Sequence, residues 1–303
     1  MILALDVGGS VVTPVIAGAI QGAIYGLLGL GLVLLYKGNR IFNFAQAEFG
    51  SVAALMVFAS LVGSRWLPEM PYALAIIVGL AMGTLFALTT ERLVIRPLLH
   101  QPKVTIVVAT AGVALLAISV SLFFQGPNPA TLQPIVAGDL VNSGGLRITN
   151  QQVVSLVVLA LLAVASVLFF SRTRTGLAVL AVSQEPTATS LVGISVNRIS
   201  SLTWGIAGFL GATAGILIAG GSTVAPGFLT VTALIPAFTA AVFGGITSLP
   251  GAFVGGIVIG VIERLAIVNL QGSAIPGADD LVVFLLLLGV LLLKPAGLLG
   301  KEA

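Results

Sequence analysis

The chain contains no cysteine and a single histidine, His100. Disulfide frameworks and thiolate metal centres are thereby excluded, and one imidazole without a partner motif nominates no metal site. Charge is scarce as well: only 8% of residues are Asp, Glu, Lys or Arg, against about a quarter in soluble domains. Recognisable catalytic machinery is missing. No HExxH, no Ser/His/Asp set and no GxxxxGKS/T phosphate loop occurs, and Gly300-Lys301 precedes Glu302 without the upstream glycine. No catalytic residue and no bound cofactor are therefore expected, and any ATP that powers the protein must sit on another chain. The pI is near 9.6, but the net charge is only +3 and no basic cluster is interleaved with aromatics. That balance reflects loop bias and predicts no nucleic-acid partner.

What the sequence does have is apolar length. Hydrophobic residues make up 58% of the 303, mean hydropathy is +1.17, and Gly, Pro and charge clusters separate repeated runs. Runs of about 20 residues match a hydrocarbon core about 30 Å thick. Spans are expected near 12–36, 44–63, 72–90, 104–125, 151–171, 199–219, 229–245, 250–268 and 280–293. The fold class is thus an all-α polytopic transmembrane bundle of eight or nine spans in one integral-membrane unit, 1–303. With the N-terminus outside, Lys37, Arg40, Arg92, Arg96, Lys103, Arg172, Arg174, Arg198, Lys294 and Lys301 all fall in inner connections. Arg65 and Arg147 fall outside and Arg264 at a span end, so the positive-inside rule predicts N-out, C-in. Nine crossings keep Lys294 and Lys301 inside, whereas eight would expel them. The shortest run, Leu229 to Gly245, carries Thr230, Thr232, Pro236 and Thr239, which also suits a broken or re-entrant helix. The start, Met1 to Asp6, lacks a basic n-region, so a cleaved leader is not expected.

Glycine is abundant, at 37 residues. Gly18, Gly22 and Gly26 recur at four-residue spacing, as do Gly211 with Gly215, Gly251 with Gly255, and Gly256 with Gly260. Small residues one turn apart make smooth ridges along which membrane helices approach closely. These positions are expected to pack the bundle, with a subunit interface or a substrate path as the alternative.

Two segments depart from bland apolar helix. Residues 39–49, NRIFNFAQAEF, bring Asn43, Gln46 and Glu48 to the inner end of the second span. Intramembrane amides and carboxylates are costly unless they face a bundle interior or water. Helical spacing lets Asn43 and Gln46 share a face with Glu48 rotated away. Either these residues line the translocation path or its inner gate, or Asn43 caps an interfacial helix start with Glu48 in its positively polarised first turns. The second segment, 172–198, is the largest inner connection. Pro186 suits a first helical turn and Gly193 its C-terminal cap, leaving about two turns between. A short, largely uncharged helix at the membrane face suits docking on a soluble partner, with a plain connector as the alternative, although connectors are usually shorter. Outside, 126–150 has Pro127, Pro129 and Pro134 and forms either a landing surface for an external protein or a tether.

At these residues the chain resembles the LivH-type permease subunits of ABC importers for branched-chain amino acids. The stretch GAIYGLLGLGLVLLYKGNRIFNFAQAEFG is similar to that family's opening signature, with Ala47 where glycine is usual. The inner connection is similar to its coupling loop, through Arg172, Thr173, Gly176, Ala178, Ala181, Ala188, Gly193 and Ile194, although Val179 and Leu180 stand where a basic residue is common. The stretch AFTAAVFGGITSLPGAFVGGIVIGVIE resembles the third signature, which ends at Glu263. The resemblance is thus to the LivH-type subunit, and the N-terminal extension common in the sister LivM-type subunit is not expected.

The resemblance implies one half of a translocation path for branched-chain amino acids in a prokaryotic cytoplasmic membrane. Its partners would be a second homologous permease, two cytoplasmic ABC ATPases that use ATP, an extracytoplasmic binding protein and membrane lipid. ATPase coupling would fall to Gly176, Glu185, Pro186, Ala188, Leu191, Gly193 and Ile194, and the substrate path to Asn43, Gln46 and Glu48. Related permeases are associated with urea, short amides or aromatic acids, and these residues do not separate such solutes from leucine, isoleucine and valine. Outside that family, an ion-coupled carrier would need titratable groups near mid-membrane, and the span centres contain almost none. A scaffold would leave the long inner loop without a reason.

Overall fold

In a computed structural model the structure describes residues 12–64, 67–143, 146–270, 277–294 and 297–300. Arg65, Lys301 and the Met1–Asp6 start, which enter the topology expected from sequence, lie outside the described residues. Helices dominate: α1 (Val12–Asn39), α2 (Gln46–Val62), α3 (Tyr72–Leu98), α4 (Lys103–Gln125), α5 (Asn150–Arg172), α6 (Arg174–Gln184) and α7 (Pro186–Leu191). They continue as α8 (Val196–Ala219), α9 (Phe228–Thr232), α10 (Leu234–Gly244), α11 (Leu249–Leu270) and α12 (Ala278–Leu293). Among the described residues, six helices are long and apolar enough to cross a membrane: α1, α3, α4, α5, α8 and α11. The molecule is a helical polytopic membrane bundle.

Burial sorts these helices into a centre and a shell. In their most apolar stretches α1 is 89% buried and α8 72%, whereas α3, α4 and α5 are each 28% buried. The shell helices turn Leu85, Leu116, Phe123 and Leu161 outward, as a surface solvated by lipid requires. Small residues let the centre close up. Helices α1 and α11 run antiparallel, so a Cβ added at Gly18 would lie 2.7 Å from the Gly260 carbonyl oxygen. One at Gly26 would lie 2.7 Å from the Phe253 carbonyl, and one at Gly22 would collide with Gly256. On the far face of α11, Gly251 meets Gly244, and Gly255 meets Ala240 of α10. A second seam clamps α2 between α8 and α3. There Gly215 abuts Gly50, and Cβ atoms at Gly79 and Gly83 would lie 2.7 and 2.6 Å from the carbonyls of Ala53 and Phe49. Backbones this close gain dispersion contact that lipid cannot offer more favourably.

Three connections are more than plain helix or loop, and the first takes the broken form that the sequence allowed. The run 229–245 is not one helix: α9 ends at Thr232, Ala233 takes φ −126°, and α10 starts at Leu234, with Pro236 in its first turn. Residues 172–198 are not a loop carrying one short helix. Helix α6 precedes α7, nucleated where the Thr173 hydroxyl accepts the Gly176 amide at 3.0 Å. The stretch 126–150 contains strands β1 (Ala130–Thr131), β2 (Asp139–Ser143) and β3 (Leu146–Thr149). Strand β1 pairs antiparallel with β4 (Thr223–Val224), and β2 pairs with β3. Tyr72 fastens this layer by donating to the Gln133 carbonyl at 2.6 Å. A capping box at Thr149 and Gln152 then starts α5.

Candidate functional site

The polar stretch after α1 descends into the bundle instead of running along its surface. Helix α1 ends at Asn39, and Arg40 turns the chain with φ 54°. Helix α2 does not begin until Gln46. The Gln46 Nε2 donates to the Ala207 carbonyl of α8 at 2.9 Å and lies against Gly31 of α1. Ala207 is eleven residues from the start of α8 at Val196, about 16 Å at 1.5 Å per residue. That is about half of a hydrocarbon core about 30 Å thick, so α2 starts deep within the bundle.

This placement corrects the helical reading of Asn43. It neither shares a helix face with Gln46 nor caps α2 directly, because it lies in non-helical backbone, and the residue before α2, Ala45, gives no side-chain cap. Irregular backbone at this depth is tolerated only when its polar groups are satisfied inside the protein. Three backbone N–H groups here find such partners: Phe44 N–H donates to the Thr110 hydroxyl of α4 at 3.2 Å, and Ala45 N–H to Asn43 Oδ1 at 3.0 Å. The Gln46 amide donates to the Asn43 carbonyl at 3.4 Å. Aromatic rings flank the descent on its α10 side. Tyr36 stacks on Phe42 with centroids 5.0 Å apart, and Phe42 and Phe44 lie 5.3 and 5.6 Å from Phe238.

Glu48 stands in the first turn of α2 and is fully buried, as are Asn43 and Ser51. Its Oε1 accepts a hydrogen bond from the Thr230 hydroxyl of α9. Ser51, on the next turn, accepts the Leu229 amide at 3.3 Å. Two short helices thus begin beside each other deep in the bundle, α2 and α9, and their starts are joined through Glu48, Thr230 and Ser51. Carboxylates near helix N-termini are favoured by the partial positive charge there. Thr230 is half-buried, while Val231, at 79% exposure, and Thr232 face away from the chain's own core. Asn43, Gln46 and Glu48 are therefore brought together around one junction but point to three partners: Ala45, α8 and α9. Sequence reasoning passed over Ser51, Thr110, Gly31 and Gly50. A Thr or Ser inside an apolar run was the available signal, but most such hydroxyls here only bond back one turn, as Thr84, Ser166 and Thr213 do.

The second candidate segment is separate from this junction. In α7, Pro186 is the first residue, and the Gly193 and Ile194 amides close on the Ser190 and Thr189 carbonyls at 3.0 and 3.2 Å. This Schellman closure needs a left-handed residue, and Gly193 supplies it at φ 86°. Thr189 faces inward, while Glu185, Pro186 and Ala188 are exposed and Leu191 and Val192 are 83% and 75% exposed. Gly176 sits in the tight corner between α5 and α6, where a Cβ would come within 2.5 Å of Phe170 backbone.

Comparison with known proteins identifies the family of the chain as a whole. Residues 15–291 match the family described as branched-chain amino acid transport system / permease component. The high-affinity branched-chain amino acid transport system permease protein LivH of Salmonella typhimurium is 30% identical over 295 residues, covering 94% of each chain. BraD of Pseudomonas aeruginosa, a permease protein of the same description, is also 30% identical with the same coverage. A probable LivH of Methanocaldococcus jannaschii is 24% identical over 91% of this chain and 88% of its own. A polytopic bundle matched from α1 to α12 by one family model leaves one assignment: this chain belongs to the branched-chain amino acid transport system permease family.

Proposed function

We propose that the protein is the permease subunit of an ATP-binding cassette importer in a prokaryotic cytoplasmic membrane and forms half of the path for branched-chain amino acids. A second, homologous permease supplies the other half, two cytoplasmic ATPases bind and hydrolyse the ATP, and an extracytoplasmic protein delivers the substrate. Nine crossings with the N-terminus outside fit this role, with α9 and α10 together making one broken crossing. That topology places 172–198 in the cytoplasm and 126–150 outside.

The observation that carries the reading is α7. A six-residue helix fixed at both ends yet exposing Ala188, Leu191 and Val192 leaves an apolar face uncovered on the aqueous side, where a partner must cover it. ATPase closure can drive alternation only through contacts that differ between inward and outward states. Glu185 to Ile194 are the surface for such contacts, with Gly176 holding the corner from which they project. At the other end of the lever, Asn43, Gln46 and Glu48 shape the path by fixing the starts of α2 and α9, and Thr230 borders it.

Affinity purification of the chain from its native membrane, with mass spectrometry and an ATPase assay, tests the assembly. Recovery of a second polytopic subunit and P-loop ATPases is expected; recovery of the chain alone, while a control ABC complex survives, overturns it. With the complete set reconstituted in liposomes, uptake of labelled leucine should be competed by isoleucine and valine. Competition by urea or acetamide instead would reassign the substrate within the same mechanism.

A further inference from the structure

Helix α3 is not α-helical throughout. Residues Glu91–Ile95 form a π-turn, and the Arg96 amide bonds to the Glu91 carbonyl. Five-residue closure brings the side chains of Glu91 and Arg96 to one side. There Arg96 Nε and Nη2 hold the fully buried Glu91 carboxylate at 3.1 to 3.3 Å. Ser201 of α8 completes the cluster, donating to Glu91 Oε2 at 2.8 Å and accepting from Arg96 Nη2 at 2.8 Å. Among the described residues, every hydrogen bond that Arg96 makes uses Nε or Nη2, which leaves the Nη1 edge free. Beside it is a groove of about 560 Å3 between α3 and α8. Arg198, exposed and without a carboxylate partner among the described residues, stands on its rim. Its walls are Leu88, Leu202, Ile206 and Phe209, and Gly205 leaves its floor open.

Two properties of this groove select an occupant. The first is charge: Glu91 is the only carboxylate on α3 or α8 and Arg96 neutralises it, so Arg198 leaves the rim with one unmatched positive charge. The second is length. From Arg198 to Phe209 is eleven residues, about 16 Å along the helix, which is close to one leaflet of a core about 30 Å thick. A soluble peptide would not meet an apolar trough running that far along a lipid-facing helix pair. We propose that this groove binds one anionic phospholipid, its phosphate held by Arg198 and the free edge of Arg96 and one acyl chain lying along Leu202, Ile206 and Phe209. Basic pockets between helices at the cytoplasmic side hold acidic headgroups on the same physical grounds.

The test is native mass spectrometry of the full-length chain, delipidated in detergent and titrated with phosphatidylglycerol or phosphatidylcholine of identical acyl chains. Wild type should retain phosphatidylglycerol in preference. Arg198→Gln should weaken its retention about fivefold, the worth of one basic residue near an anionic surface, and weaken phosphatidylcholine less, because its choline offsets the phosphate charge. Gly205→Leu should weaken both lipids by filling the trough. Arg172→Gln, a basic residue away from the groove, should change neither, and glycerol phosphate without acyl chains should not compete. Equal retention of the two lipids by wild type, an unchanged preference in Arg198→Gln, or an equal loss in Arg172→Gln would each overturn the site. So would normal lipid retention in Arg198→Gln accompanied by loss of co-purifying ATPase subunits, because the rim would then belong to a protein interface.

Discussion

Removing one hydroxyl at the junction of α2 and α9 isolates the contact that joins the two helix starts. Thr230→Val keeps the β-branched shape but deletes the donor to Glu48 Oε1. Glu48 Oε2 already has no hydrogen-bond partner, and the residue is fully buried, so the variant carboxyl would keep only the Ser51 hydroxyl beside it. Leaving a buried polar group unsatisfied costs about 1–3 kcal/mol, or about 5- to 150-fold in the unfolding equilibrium at 1.4 kcal/mol per tenfold. Glu48→Gln retains an acceptor oxygen and should cost less. The double variant Glu48→Leu/Thr230→Val replaces both partners with apolar groups of similar size, which can be nearly neutral. It should therefore be more stable than Thr230→Val alone, with a coupling energy of about 1–2 kcal/mol. Stability would be read from thermal or denaturant unfolding of the purified chain in one detergent, and uptake from the reconstituted transporter. A Thr230→Val protein as stable as wild type, or a double variant showing the sum of the single losses, would refute the idea that this contact joins the two helix starts.

Other perturbations separate packing from coupling. Gly22→Leu drives a side chain into the Gly256 backbone and should abolish stable insertion or cost more than the about 1–3 kcal/mol usual for overpacking. Gly289→Ala, with nothing within 4 Å of the added Cβ, should be neutral in the same membrane-insertion assay. Leu191→Glu or Ala188→Glu places charge on the exposed face of α7 and should eliminate ATP-driven uptake while co-purification of the two permeases persists; normal uptake would count against docking there. Gln46→Leu breaks the 2.9 Å bond to Ala207 at a stability cost of about 1 kcal/mol. It should lower the amount of substrate moved per ATP hydrolysed, and an unchanged ratio would show that α2 and α8 are held together by packing alone.

The helical membrane class was legible because lipid imposes length and apolarity residue by residue, and the boundaries of α4, α5 and α8 lie within a few residues of the apolar runs. The glycine spacing in α1 and α11 marked surfaces of close approach, but spacing cannot name the opposite wall. That Gly18, Gly22 and Gly26 meet α11 while Gly50 meets Gly215 of α8 is decided by how the bundle closes. Pro186 and Gly193 delimited α7 correctly because each acts through its own backbone. The start of α2 was misread because a helical period was assumed across Asn43 to Glu48. What ends that period is tertiary: Thr110 of α4 takes the Phe44 amide, and no local preference announces a partner 66 residues away. Glu48 was recognisable as an expensive residue, but its partner in α9 became visible only once the run 229–245 proved to be broken.

The arrangement of α8 explains why the two candidate segments need not touch. Its first turns meet α7 and α6, and its start follows directly from the Gly193 closure, so a force on the exposed face of α7 is delivered to the end of α8. About 16 Å further along, the same helix presents the Ala207 carbonyl to Gln46 and its Gly211 and Gly215 edge to α2. No rotatable linker intervenes, because α8 is continuous from Val196 to Ala219 and 72% buried in its apolar stretch. Interdigitated backbones such as Gly50 on Gly215 resist independent sliding, since a shift of an ångström forces atoms into overlap. A displacement of α8 must then carry the start of α2, and with it Glu48 and the Thr230 end of α9. Packing without side chains at these glycines, which in water would only weaken a helix, locks the central helices to one another, so that a displacement of one would be carried to the others.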